Sequence, residues 1–264
     1  MRCPEYVDSV ELAIRVLEAV AVTDDAGVSE LARKLDAPKT TVQRALKTLH
    51  HLEWLAPIQG SARTRWKRGN KFRAIPTESP QNALLRKAAL RPMERLRQST
   101  GETTHLTVPD GRYITIIERL DSPLPLQAVR PVGLRVPLHA CSNGKNVLAA
   151  MRAEELAEYL SSPLDGWTRH TVVDADTLSS HIQATCTQGY AVNLEETWEG
   201  FRAVAAPIRF RGHTIASVSL SCPSARLPAS RQSLFGRRIV ETAAEISTAF
   251  RRLRELEIQA AKVL

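Results

Sequence analysis

The sequence predicts an α+β protein of two domains, and three observations predict it. At roughly 150 residues per domain the 264 residues come to about two domains, and 43% are apolar, enough for a core in each. The first third shows helix-period apolar spacing followed by one short hairpin pattern, whereas the remainder alternates β-rich runs with helical ones. Charge divides the same way: Arg33 to Arg73 holds eleven Lys or Arg against two acids, Asp36 and Glu53, in a chain of net charge +8.

Composition removes several classes. With 24% charged residues, 12 Gly, 15 Pro and no low-complexity segment, collagen-like, mucin-like and disordered chains are excluded. No run of eighteen apolar residues occurs, so no membrane-spanning helix is expected. Glu11, Arg15 and Glu18 interrupt the apolar start, unlike a secretory leader, and Cys3, Cys141, Cys186 and Cys222 lie far apart without a C-x-x-C pair. A cytoplasmic, reduced location is expected.

Asp8 followed by Glu11 has capping-box spacing, and Val10, Ala13, Ile14, Leu17 and Val20 recur at helical intervals, predicting a first helix that stops at Thr23-Asp24-Asp25 and Gly27. Ser29 can cap a second helix that buries Leu31, Ala32 and Leu35 before the Asp36-Ala37-Pro38 break. From Lys39 a third helix is expected to bury Val42, Ala45, Leu46, Leu49 and Leu52. Two short helices joined by a tight turn, the second one basic, form a helix-turn-helix. Trp54–Ile58, a polar tip at Gln59–Ala62 and the basic return Arg63–Arg68 then read as a wing reaching Gly69.

A basic block attracts a polyanion by counterion release, and nucleic acid is the commonest one. On this reading Lys39, Thr40, Thr41, Gln43, Arg44 and Lys47 meet double-stranded DNA, with Thr40, Gln43 and Arg44 at base edges and Arg63, Arg65 and Lys67 of the wing on phosphates. The alternative is a helical packing module with a solvated basic face. One helix-turn-helix touches few base pairs, so two-fold pairing is expected, with the first helix and Leu84, Leu85 and Ala88 supplying apolar surface.

Ala74 to Asn82 carries two prolines and no long apolar pattern, which divides the chain into a winged helix-turn-helix at 1–75, a linker at 76–82 and a second domain at 83–264. That domain should open with a helix from Ala83 to Gln98, disturbed at Pro92. Strands are expected at Thr103–Val108, Tyr113–Ile117, Leu126–Arg130, Ala203–Phe210 and Thr214–Ser221, the first two joined by a Pro109-Asp110-Gly111 turn. Helices are expected at Asn143–Met151, Glu154–Leu160 and Asp174–Gln188, the last stopped by Gly189, and from Ser230 onward.

Three local patterns bear on chemistry. Ser142-Asn143-Gly144-Lys145 opens a helix, where free N–H groups favour an anionic ligand; it reads equally as a plain helix cap, and it is not a P-loop. Ser219 and Ser221 share one strand face, as a pocket pair or a polar surface stripe. His139 and Cys141, two apart, allow a thiol nucleophile and base, hence a cysteine-dependent hydrolase as the alternative function, although a structural Cys and a hydrogen-bonded His read more simply. The seven dispersed histidines show no paired ligand spacing, so neither metal nor cofactor is expected.

Taken in order, the motifs resemble those of the IclR family of bacterial transcriptional regulators over nearly the whole chain. The resemblance is carried by Leu31-Ala32 and Pro38–Arg44, by Ser99–Thr103, by Val136–Ala140 with Gly144-Lys145, by Gly189–Glu196, and by Gly200, Ala205–Ile208 and Ala216–Ser221. It implies a winged helix-turn-helix joined to a GAF-like effector-binding domain, acting as a homodimer or dimer of dimers that represses, or both represses and activates, a catabolic operon. It places the effector pocket at Ala128, Ser142, Asn143, Gly144, Asn193, Ala203, Ser219 and Ser221. Relatives return from the wing through Tyr-x-Leu-Gly, where this chain has Trp66-Lys67-Arg68-Gly69. The expected occupant is a small carboxylate with its anionic end at Ser142–Gly144 and its acceptors on Ser219 and Ser221. Asn193, where relatives carry an acid, removes a repelling charge, and Ala203, where some carry Cys, leaves room for a larger acyl or aromatic body.

Overall fold

Residues 7–58, 64–74 and 79–261 are described by the computed structural model of the chain, and they fall into two units, Met1–Ser79 and Pro80–Leu264. The first contains α1 (Asp8–Thr23), β1 (Ala26–Gly27), α2 (Val28–Lys34), α3 (Lys39–His51), β2 (Leu55–Ile58), β3 (Arg65–Arg68) and α4 (Asn70–Ala74). The three expected helices are present, with shifted ends and faces. Val7, not Asp8, is the N-cap of α1, and the helix buries Val16, Ala19 and Val20 while Val10 and Ile14 stay 55% and 52% exposed. Helix α2 starts before Ser29: Gly27 is its N-cap, and the Gly27 N–H donates to the Glu30 carboxylate at 3.1 Å. Helix α3 buries Val42, Leu46 and Leu49, but Leu52 lies past its last turn and is exposed.

The wing is an antiparallel sheet of order β1-β3-β2. Trp66 anchors it, buried in the helical core with its ring edge-on to His50 at 5.7 Å, so an aromatic on β3 supplies the apolar contact that the charged return lacks. The exit needs glycine: a Cβ on Gly69 would lie 2.3 Å from the Glu53 carbonyl oxygen.

The second unit comprises α5 (Pro80–Thr100), β4 (Thr103–Asp110), β5 (Tyr113–Leu120), β6 (Arg135–Pro137), α6 (Ser142–Leu148), α7 (Ala153–Ser161), α8 (Ala175–Gln188), β7 (Ala191–Leu194), β8 (Phe201–Phe210), β9 (His213–Pro223) and α9 (Ala229–Ala261). Residues 80–82, expected in the linker, form the first turn of α5, where Pro80 needs no N–H partner; residues 75–78 lie outside the described residues. Helix α5 also continues through Pro92, because burial of Leu84, Leu85, Ala88, Ala89, Met93 and Leu96 along one side outweighs one missing hydrogen bond. That burial removes Leu84, Leu85 and Ala88 from the expected pairing surface.

Six antiparallel strands form one sheet of order β6-β5-β4-β9-β8-β7. The first hairpin turns at Gly111-Arg112, with Pro109 and Asp110 still in β4. Residues 121–134 form no strand, contrary to the expectation for Leu126–Arg130: Pro123, Pro125 and Pro131 deny ladder donors, and the edge position is taken by β6. On β9 the even residues Ala216, Val218, Leu220 and Cys222 join Leu106, Val204, Ala206 and Ile208 against α5 and α9. The odd residues turn to the opposite face, where Asn146 of α6 donates to the Ser217 hydroxyl at 3.0 Å. Helices α6, α7 and α8 close that side through Leu148, Tyr159, Leu178 and Ile182, with Leu138 from the segment before α6. Among the described residues no helix is long and apolar enough to cross a membrane.

Candidate functional site

The face of α3 opposite its buried stripe carries Lys39, Thr40, Thr41, Gln43, Arg44 and Lys47, all exposed, and the helix has no acid. Short polar side chains thus lead the helix and cations follow, the pattern that suits base edges flanked by phosphates. The wing arginines are arranged otherwise. Arg65 donates to the Asp25 carboxylate and pairs with Glu30 at 3.2 Å, and Arg68 pairs with Asp24 at 3.2 Å. The Gly27 amide and then Arg65 hold the Glu30 carboxyl below its ordinary range. Arg65 therefore braces β3 to the start of α2 and is not a free phosphate contact. The acids responsible precede the basic block in sequence, and the three-stranded sheet brings them to it. Lys67 stays half-exposed on the wing, and Arg63 lies outside the described residues.

In the second unit a cavity of about 50 Å³ opens between the odd-residue face of the sheet, the start of α6 and the segment after β7. Register explains its floor: His105 sits opposite Ser219, and Ala203 opposite Ser221. Ser142, Asn143, Asn193, Ala203, Ser219 and Ser221 line it together, as the resemblance implied, whereas Gly144 and Ala128 do not. Gly144 serves packing, since a Cβ would lie 2.2 Å from the Leu138 carbonyl oxygen, and its N–H donates to Cys141 Sγ at 3.3 Å. Ala128 is fully buried in segment 121–134. Asn193 reaches the cavity, but its amide donates to the Ala140 carbonyl at 3.0 Å and to Thr197 Oγ1 at 2.6 Å, and its oxygen accepts from Glu196 N–H at 3.1 Å. It fixes a wall, with both amide hydrogens taken.

Among the lining residues missed by the sequence reading are the three basic ones, His105, Arg130 and Arg202. His105 Nε2, Ser142 Oγ and Arg202 Nε are buried without a hydrogen-bond partner, and three such atoms around one cavity mark a place for a polar guest. Burial, with Arg130 and Arg119 nearby, pushes the His105 imidazole down to about 3, so it is neutral at pH 7. Trp198, Phe201 and the Arg130 guanidinium, 3.3 Å from the Trp198 ring centre, line the same cavity as Ala203.

Behind this cavity, Lys145 Nζ pairs with Glu196 at 2.6 Å and also donates to the Val192 carbonyl at 3.3 Å and His181 Nδ1 at 3.1 Å. The pair ties α6 to the segment that carries Thr197 and Trp198, so it holds two walls of the cavity together.

The thiol-nucleophile reading is overturned. His139 lies on the Tyr159 hydroxyl at 3.1 Å and the Asp165 carbonyl at 3.0 Å, not on the sulfur. The Cys141 thiol donates to the Pro137 carbonyl and accepts from Gly144, and burial pushes it up to about 12, leaving no thiolate at neutral pH.

Comparison with known proteins agrees across both units. Residues 9–57 match the IclR helix-turn-helix domain, and residues 78–248 match the domain described as bacterial transcriptional regulator IclR C-terminal. The chain is 32% identical over 225 residues to the HTH-type transcriptional regulator KdgR of Dickeya chrysanthemi, covering 84% of this chain and 73% of that protein. It is 30% identical over 246 residues to the HTH-type transcriptional regulator BhcR of Paracoccus denitrificans, covering 91% and 86%. Among solved structures, an IclR homolog from Microbacterium hydrocarbonoxydans in complex with 4-hydroxybenzoate superposes with a TM-score of 0.76 at 25% identity, covering 92% of this chain and 99% of the other.

Proposed function

The chain belongs to the IclR family of bacterial transcriptional regulators, and on that premise we propose that it binds an operator through α3 as a symmetric oligomer and answers to a small carboxylate held in its second unit. It is a regulator of transcription, not an enzyme. Supporting the DNA role, Thr40, Gln43 and Arg44 stand on an exposed helix face without an acid, and Lys39, Thr41 and Lys47 flank them. Oligomerisation is supported by Val10 and Ile14 of α1, exposed one helical turn apart on a helix that already buries its other stripe. Two copies related by a two-fold axis would read a pseudo-palindrome with half-sites a whole number of turns apart.

The observation that carries the effector half is the small cavity lined by the unpartnered His105 Nε2, Ser142 Oγ and Arg202 Nε and by Ser219 and Ser221. A guest there can change DNA binding only as far as it prefers one arrangement of the oligomer over another. Selection of bound duplexes from a random pool tests the DNA reading directly. The expected product is an inverted repeat, and a pool that enriches no sequence would refute it.

A further inference from the structure

The geometry points to Arg130 as the carboxylate receptor of this cavity, and to a short monocarboxylate bearing a second hydrogen-bonding group as its guest; the inference rests on the effector-binding reading above. Among the described lining residues, the other candidates for holding an anion are partly engaged or uncharged. The start of α6 is used by Cys141, whose sulfur takes the Gly144 N–H and whose carbonyl takes the Lys145 N–H at 3.0 Å. Arg202 pairs with Glu195 at 3.5 Å and donates to the Leu227 carbonyl at 3.2 Å. His105 is neutral.

Arg130 differs from these. Its guanidinium has neither a carboxylate nor a carbonyl partner among the described residues; it lies face-on to Trp198 at 3.3 Å and near Phe201 at 5.4 Å. Its backbone is pinned by the Arg119 guanidinium, which donates to the Arg130 carbonyl at 2.8 Å. Partial burial lowers it to about 10, so it stays charged at neutral pH, with no carboxylate beside it among the described residues. Cation–π attraction holds the guanidinium over the Trp198 ring without using its N–H groups, which are the donors that suit a carboxylate. A half-buried guanidinium with no acid beside it adds little to the stability of the empty fold, so the residue is better explained by the charge it awaits.

The rest of the cavity reads the other end of the guest. His105 Nε2 and Ser142 Oγ are unpartnered, and Ser219 and Ser221 stand beside His105 on the floor. A bare alkyl or aryl acid such as acetate or benzoate leaves those groups unsatisfied.

Calorimetry on the full chain with acetate, glycolate, lactate and benzoate, each beside its amide, tests this, together with ligand-free thermal unfolding. Glycolate or lactate should bind better than acetate, benzoate and every amide. Arg130→Gln should weaken acid binding at least about thirty-fold, with a ligand-free Tm equal to or above the parent's, and Arg130→Lys should fall between the two. A lowered ligand-free Tm in Arg130→Gln, undiminished acid binding, or failure of every acid to bind the parent would overturn the proposal. Acid binding lost in Ser219→Ala with Ser221→Ala but kept in Arg130→Gln would sink Arg130 alone and leave the cavity as the effector site. Enrichment of an operator from random DNA is read separately, so failure here does not pass for failure of the regulator reading.

Discussion

Replacing Glu196 by Gln should destabilise the second unit more than any surface change, for reasons visible at Lys145. Both side chains are almost fully buried, at 1% and 3% exposure, and the Lys145 ammonium has all three protons placed, on Glu196, Val192 and His181. Removing the carboxylate charge leaves that ammonium buried among neutral acceptors only. Breaking such a pair from one side costs about 3–5 kcal/mol, out of a typical total of about 5–15. For a domain of this size the loss corresponds to a fall in Tm of roughly 6–20 °C. Lys145→Met should cost a similar amount, because it strands Glu196, whose Oε2 already lacks a partner. The double variant should fall roughly 1–3 kcal/mol short of the sum of the singles, since each single removes the same interaction. Urea unfolding of the four proteins, followed by circular dichroism, gives the cycle. Additive losses, or a single loss under about 1 kcal/mol, would refute the coupling and with it the view that this pair fixes the cavity walls.

Three further outcomes follow from the site geometry. Arg65→Ala should leave the salt dependence of DNA binding unchanged while lowering the stability of the first unit, whereas Lys47→Ala should flatten the salt slope by about one; equal slopes for both variants would contradict the bracing role. His105 sits at about 3 when folded against an ordinary 6.5, so the unfolded chain takes up the proton first; its contribution is full above about pH 6.5 and is lost as pH falls toward 3, by up to about 1.4 kcal/mol per unit. Denaturant titrations from pH 7 to 4.5 should show a shallower loss in His105→Gln than in the parent, and parallel curves would reject the assignment. Cys141 should resist iodoacetamide at pH 8 in the folded protein, and mass spectrometry finding it alkylated as fast as exposed Cys186 would argue against its buried thiol.

The elements most legible in the sequence were those whose apolar period has one interpretation. Val42, Leu46 and Leu49 fix α3 and thereby its polar face, and the alternation along β9 puts Ser219 and Ser221 on one side. Misreadings arose where two stripes or two partners compete. Helix α1 carries two apolar stripes, and only packing shows that Val16 and Val20 go inward while Val10 and Ile14 remain outside. The basic block looked uniformly available because Asp24, Asp25 and Glu30 lie upstream of it, and pairing β1 with β3 carries them to Arg65 and Arg68. Leu126–Arg130 was mistaken for a strand by its apolar content, although Pro123, Pro125 and Pro131 around it argue otherwise, and that error hid Arg130. His105 was within reach of the two-residue period, since it shares its face with Thr107 and pairs with Ser219. The engagement of Asn193 and Gly144 in wall contacts needed coordinates, because partners such as Ala140, over fifty residues from Asn193, leave no local pattern.

The central claim, that α3 reads sequence, is tested most directly by measuring Arg44→Ala against the selected inverted repeat and a scrambled duplex at one fixed salt concentration. The account predicts a loss of about 1–3 kcal/mol on the inverted repeat with little change on the scrambled duplex, so that the ratio between them shrinks. Equal losses on both duplexes, or none on either, would contradict it.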